Sequence, residues 1–169
     1  MTENKEQAGQ VGIVARAAAP AIPGRPLLPV HGERTGIGFR SLTVEAEGGT
    51  MACSVVDVED VPYTWGTFKF VRHHIGATAF GFAQIDFPPD KVGSEHDERE
   101  SGQEEVYLTL SGAGTLDVDG ESVEMRPGRY VLVPPDARRR PAAGPEGMSF
   151  LVIGGVPGGV YEPWALPEE

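Results

Sequence analysis

Glu104-Glu105-Val106-Tyr107-Leu108-Thr109-Leu110-Ser111-Gly112-Ala113-Gly114 is the stretch on which the fold turns. Val106, Leu108 and Leu110 alternate with Tyr107, Thr109 and Ser111, a period of two that marks a strand with one buried face. Leu116 and Val118 continue the pattern, Asp119-Gly120 interrupts it, and Val123 and Met125 resume it. Asp-Gly between two alternating apolar runs predicts a tight hairpin, because both turn positions require positive φ. Downstream, Pro127-Gly128 marks another turn, and residues 130–133 and 149–153 read as strands. Upstream, residues 67–72 alternate, and residues 78–87 are apolar and aromatic (Phe80, Phe82, Ile85, Phe87) before Pro88-Pro89-Asp90 breaks the run. No window reads as a helix. Many short strands with frequent turns predict an all-β antiparallel sandwich or barrel.

The 169 residues suffice for one domain with a real core. Charge is uneven: residues 1–50 carry five acids and five bases, so the net charge of -11 belongs to residues 51–169. An acidic domain repels phosphate backbones and anionic lipid, so neither nucleic acid nor a membrane is an expected partner. Cys53 is the one cysteine, which rules out an intrachain disulfide and a multi-cysteine zinc site. The chain has no membrane-length apolar run, and Glu3, Glu6 and Arg16 make its first residues a poor signal peptide. A cytoplasmic protein is the expectation.

Residues 1–50 contain Pro20, Pro23, Pro26 and Pro29 and eight glycines, with no sustained period. Such a segment buries too little apolar surface to offset its ordering entropy. The expectation is a flexible arm over residues 1–50 and a single domain over 51–169. Met51, opening the run Met51-Ala52-Cys53-Ser54-Val55-Val56, offers an alternative start.

Two spacings resemble the paired motifs of the cupins. In the first, Glu105 is followed after six residues by Gly112; in the second, Gly128 is followed after five residues by Pro134. The resemblance covers roughly residues 65–155 and implies a double-stranded β-helix, a jelly-roll barrel. The tail Gly154-Gly155-Val156-Pro157-Gly158-Gly159-Val160-Tyr161-Glu162-Pro163 is similar to the ends of small single-domain bacterial cupins. The cupin resemblance also implies a metal held by three histidines and a glutamate, and there the chain departs from the pattern. The first two histidines would fall among Glu98, Arg99, Glu100 and Ser101, and none is a histidine. If residues 99–103 are an insertion, His96-Asp97-Glu98 takes the place of the His-x-His element. In the second motif Asp136 stands for the glycine, Arg139 for the ligand histidine and Ala143 for the asparagine.

Two opposed expectations follow. Arginine stays protonated and has no lone pair to give. Arg139 beside Glu105 would then form a charge-assisted pair where the ion sits in the family, and no cofactor is expected. Alternatively His96, Glu98 and Glu105 hold a hard ion such as Mn or Fe, with Arg139 orienting an anionic substrate. The plain alternative for His96 is a polar loop residue in the acidic run 95–100. His73 and His74, placed in a strand, would face opposite sides, and Arg138 and Arg140 would flank Arg139 and face solvent. Trp65, Phe80, Phe82 and Tyr107 read as core or interface.

Three function classes remain. One is a cupin with a degenerate metal site that binds a small polar or anionic metabolite through Arg139 and Tyr107. One is an enzyme using His96 and Glu105, either as a metal-dependent dioxygenase or as a metal-free isomerase, epimerase or cyclase. The third is a structural or interaction protein using the arm. Cupins commonly pair at the barrel edge, so a homodimer is expected.

Overall fold

The computed structural model describes the backbone of residues 30–34, 39–46 and 49–162, and side chains from residue 53 to 162. Strands β1 (Val30–Arg34), β2 (Phe39–Ala46) and β3 (Gly49–Val56) form an antiparallel three-stranded sheet in the order β1-β2-β3. A 3-10 turn (Val58–Asp60), strand β4 (Phe68–Lys69) and helix α1 (Val71–Ile75) follow. The main sheet adds β5 (Gly81–Phe87), β6 (Glu104–Val118), β7 (Glu121–Met125), β8 (Tyr130–Val133) and β9 (Arg139–Gly155), in the order β4-β5-β9-β6-β7 with β8 paired to β6.

Two long strands make the barrel. β6 and β9 pair antiparallel from Glu104↔Gly155 to Val118↔Arg139, with register shifts between Thr109 and Ser111 and between Gly112 and Gly114. Such bulges bend a strand and increase its twist, so each long strand serves both layers of the jelly roll. Gly114 is required there, because a Cβ would collide with the Ala142 carbonyl oxygen of β9. The inward face of β5, β6, β8 and β9 supplies the core: Ile85, Phe87, Tyr107, Leu116, Val133 and Phe150 are all buried. Phe87 meets Phe150 edge-on at 5.3 Å, and Tyr107 stacks on Phe150 at 6.2 Å. These are favourable aromatic geometries.

The Asp119-Gly120 hairpin forms with φ of 51° and 89°, joining β6 to β7 through the pair Val118↔Glu121. Elsewhere the structure differs from the sequence reading. A helix, α1, occupies Val71–Ile75, where none was expected, so His73 and His74 lie on a helical turn and not in a strand. Gly76, in the left-handed region at φ 77°, ends the turn by donating its N–H to Arg72 O. The segment is too short for a helical period to show. Strands β1, β2 and the start of β3 fall inside residues assigned to a flexible arm. Leu42, Val44 and Ala46 alternate with Ser41, Thr43 and Glu45, a signal confined to one strand. Residues 1–29, with the rest of that arm expectation, lie outside the described residues.

Candidate active site in the barrel

A cavity of about 860 Å³ opens at one end of the barrel. Its floor is polar. Glu105, on β6, sits between Gly154 of β9 and Val133 of β8. Gly154 leaves room for the Gln103 side chain: a Cβ there would stand 2.6 Å from Gln103 Oε1, while its 3.7 Å from Glu105 Cγ would be ordinary contact. The Tyr107 hydroxyl, two residues along the same face, donates to Glu105 Oε2 at 2.8 Å. Burial, and then the Glu105 carboxylate beside it, push the Tyr107 phenol far above its ordinary range.

His96 reaches the floor from the segment before β6. It forms an antiparallel bridge with Arg139, donating N–H to Arg139 O at 3.1 Å and accepting from Arg139 N–H at 2.8 Å. Paired residues put their side chains on the same face, so both turn toward Glu105. His96 Nε2 is 3.8 Å and Arg139 Nε 3.3 Å from Glu105 Oε2. The Glu105 carboxylate raises the His96 pKa against the opposing effect of burial. Burial would raise the Glu105 pKa, but His96, Tyr107 and Arg139 outweigh it and hold it below the usual carboxylate range. Glu98 lies two residues beyond His96. Gly102 donates its N–H to Glu98 O at 2.7 Å, so residues 99–101 form a closed turn between Glu98 and β6. Ser101 Oγ donates to the Glu98 carboxylate.

His96, Glu98, Glu105 and Tyr107 thus share one cavity wall. Arg139 does not line it. Its side chain is fully buried behind Glu105, so a ligand meets its charge only through that carboxylate. The substrate-binding role expected for Arg139 finds no direct contact, because the strand carries the residue inward beneath the floor. Arg138 and Arg140 alternate with it to the exposed side, and Arg138 pairs with Glu95 at 3.4 Å. Tyr107 is both core and cavity floor, 2% exposed. Trp65, read from sequence as core or interface, stands at the cavity rim, 63% exposed. It forms edge-on contacts with Phe68 at 5.5 Å and Phe70 at 5.6 Å, and Phe68 stacks on Phe70 at 5.8 Å. His73 also lines the cavity. Burial, then Arg72 and His74, lower its pKa.

The family model for the Cupin domain matches residues 84–154. The dimethylsulfoniopropionate lyase DddW of Ruegeria pomeroyi is 44% identical over 102 residues, covering 56% of this chain and 67% of that protein. The chain belongs to the cupin superfamily. Among solved structures, a cupin protein (BF4112) from Bacteroides fragilis aligns at 23% identity and a TM-score of 0.50, over 62% of this cupin and 87% of its own chain. The plu4264 protein of Photorhabdus luminescens aligns at 16% identity and the same TM-score, over 60% and 84%. These two structures speak for the fold of this cupin.

Cupins often hold a metal, and His96, Glu98 and Glu105 offer ligand atoms all within 4.8 Å of one another. The wider set does not fit the family's ion. The fourth position carries Arg139, a cation without a lone pair. Glu105 Oε2 already meets the Tyr107 hydroxyl, Arg139 Nε and His96. Two carboxylates minus one guanidinium leave a single net negative charge for a divalent cation.

Proposed function

We propose that the barrel of this cupin binds a small zwitterion whose positive end is an onium group, a sulfonium or quaternary ammonium. The observation that carries this is the character of the wall. Trp65, Phe68 and Phe70 present clustered aromatic rings at the rim, and Asp97, Glu98, Glu100 and Glu105 line the same cavity. Aromatic faces with carboxylates nearby attract a cation that has no N–H to donate. Arg72 and Lys91 on the same wall supply positive charge for a carboxylate end. Four acids against two permanent cations favour the polar over the anionic half of the small polar or anionic metabolite expected from sequence. Dimethylsulfoniopropionate, the compound in the name of the 44% relative, belongs to the onium zwitterions. Calorimetric titration tests this with dimethylsulfoniopropionate, trimethylglycine and the isostere 4-methylpentanoate, in which an uncharged CH replaces the sulfonium. The onium compounds are expected to bind at least about tenfold more tightly, near 1.4 kcal/mol, through the cation–π term. Equal affinity for the isostere refutes the reading.

A second reading adds turnover, favoured by the grouping of His96, Glu105 and Tyr107 on one floor. A base there removes the proton from the carbon next to the substrate carboxylate, the electron pair forms a C=C bond, and the C–S bond breaks. The products from dimethylsulfoniopropionate are dimethyl sulfide and acrylate. Headspace dimethyl sulfide, measured with and without added Mn²⁺ or Fe²⁺, separates the two readings. Release that disappears in His96→Ala and Glu105→Gln supports a lyase, and binding without release leaves a binding protein.

We also propose that its protein partner is a second copy of the chain. Val106, Leu108, Leu110, Tyr130, Leu132 and Ile153 share one outer face through the register of β6, β8 and β9. Leu110, Tyr130 and Leu132 are 45%, 70% and 59% exposed. On a chain of net charge -11 these positions offer an apolar patch for a second copy to cover.

A further inference from the structure

Arg139 is an expensive residue for this position. It is 0% exposed, and its guanidinium has one hydrogen bond, from Nη2 to Pro134 O at 3.2 Å. Nη1 has no partner, and Nε lies 3.3 Å from Glu105 Oε2 without the alignment of a hydrogen bond. A buried cation with unmet N–H groups is unfavourable unless its charge is used. Among the described residues its one ion-pair partner is Glu105, itself only 13% exposed.

We propose that Arg139 is the resident cation of this barrel, standing where the family's histidine would ligate the metal and excluding the ion. Its guanidinium neutralises and orients Glu105. Oε2 thereby stays fixed toward Tyr107 and His96, at 2.8 and 3.8 Å. A guanidinium neither exchanges nor changes oxidation state, so the site is limited to binding and proton transfer. The backbone bridge between Arg139 and His96 locks the arrangement, because it sets the two side chains beside each other on the same face. The inference stands apart from the onium reading: it concerns what lies beneath the ligand and holds whether the ligand is a zwitterion or not.

The test uses the full chain without a histidine tag and the metal alone as probe. Metal content is measured by plasma mass spectrometry after dialysis against Mn²⁺, and ligation by the visible bands of added Co²⁺. The wild-type chain is expected to hold substoichiometric metal and to develop no cobalt bands. Arg139→His is expected to bind Mn²⁺ or Co²⁺ at least about tenfold more tightly, since it restores a neutral nitrogen donor and removes a charge. Arg139→Lys, which keeps the charge, is expected to stay metal-poor. Near-stoichiometric metal in the wild type that disappears in Glu105→Gln overturns the proposal. So does a folded Arg139→His that takes up no more metal than the wild type. If Arg139→His does not fold, the cobalt titration of the wild type decides alone: bands refute the proposal and their absence supports it.

Discussion

At the scale of single residues, the coupling of Glu105 to Arg139 governs both stability and site. Removing one charge of a buried pair leaves the other uncompensated, which costs more than the pair contributes when intact. Glu105→Gln strands the fully buried Arg139 and is expected to destabilise the fold by about 3 kcal/mol, read from urea unfolding midpoints. Tyr107→Phe removes one hydroxyl from the same carboxylate and is expected to cost about 1 kcal/mol. The reverse order would show that the ion pair is not the dominant contact. Trp65 makes a different case. It holds φ 51°, a left-handed conformation that is costly for a bulky side chain, followed by Gly66 at φ 77°. The chain accepts this strain for an aromatic ring left largely in solvent. Trp65→Ala is expected to lower stability modestly, by about 1 kcal/mol through the lost contacts with Phe68 and Phe70, while weakening onium binding by about tenfold. A large drop in stability with unchanged affinity would assign the ring to the fold instead. From sequence, Glu105 was visible as a candidate through motif spacing, and His96 only if residues 99–103 are an insertion. Trp65 was not, since its place at the rim depends on a turn conformation that Trp-Gly does not advertise.

At the scale of elements, the segment carrying Trp65 and β4 is pinned to the sheet by a polar cluster on the outer face. Asp86 accepts from Tyr63 Oη at 2.8 Å, Gln84 Nε2 at 3.0 Å and Ser149 Oγ at 2.6 Å. Lys69 reinforces it by donating to Val58 O at 2.8 Å and lying 4.5 Å above the Tyr63 ring. Burial alone would raise the Asp86 pKa; the hydrogen bonds from Ser149, Gln84 and Tyr63, with the Lys69 charge, reverse the sign and lower it. A carboxyl with a depressed folded pKa contributes stability above its unfolded pKa, lost as pH falls through the folded value. Thermal midpoints measured from neutral pH down to about pH 3 should therefore fall less steeply in Asp86→Asn than in the wild type. Parallel slopes would mean that the cluster is not linked to folding. Helix α1 gives a companion case. Gly76→Ala places a Cβ at φ 77° and is expected to cost about 1 kcal/mol, checked by the same unfolding measurement. The strand-turn pattern from β6 to β8 was legible because alternation and Asp-Gly act locally. α1 was not legible, because five residues span too little of a helical period.

At the scale of the whole molecule, the outer face of β6 and β8 leaves Leu110, Tyr130 and Leu132 exposed. The proposed pairing of two copies on this face would bury Tyr130 and Leu132. Light scattering coupled to gel filtration is expected to give a dimer. Leu132→Glu, which places a carboxylate in the middle of that face, should shift the chain to monomer with its fold intact by circular dichroism. A monomeric wild type would leave this face without its proposed occupant.

The sequence by itself determined an all-β cupin barrel, the Asp119-Gly120 hairpin and the position of Glu105. These follow from local periodicity, turn stereochemistry and motif spacing, which neighbouring residues settle among themselves. Only the tertiary structure decided that Glu105, His96, Tyr107 and Arg139 meet. It also decided that Arg139 lies beneath the floor and not on the wall, and that Trp65 reaches the rim. The reason is register. Glu105 faces its neighbours through β6 pairing with β8 and β9, and His96 is brought to Arg139 across 43 positions of chain by a single bridge. Long-range pairing of that kind depends on how bulged strands close a barrel, which no local composition specifies.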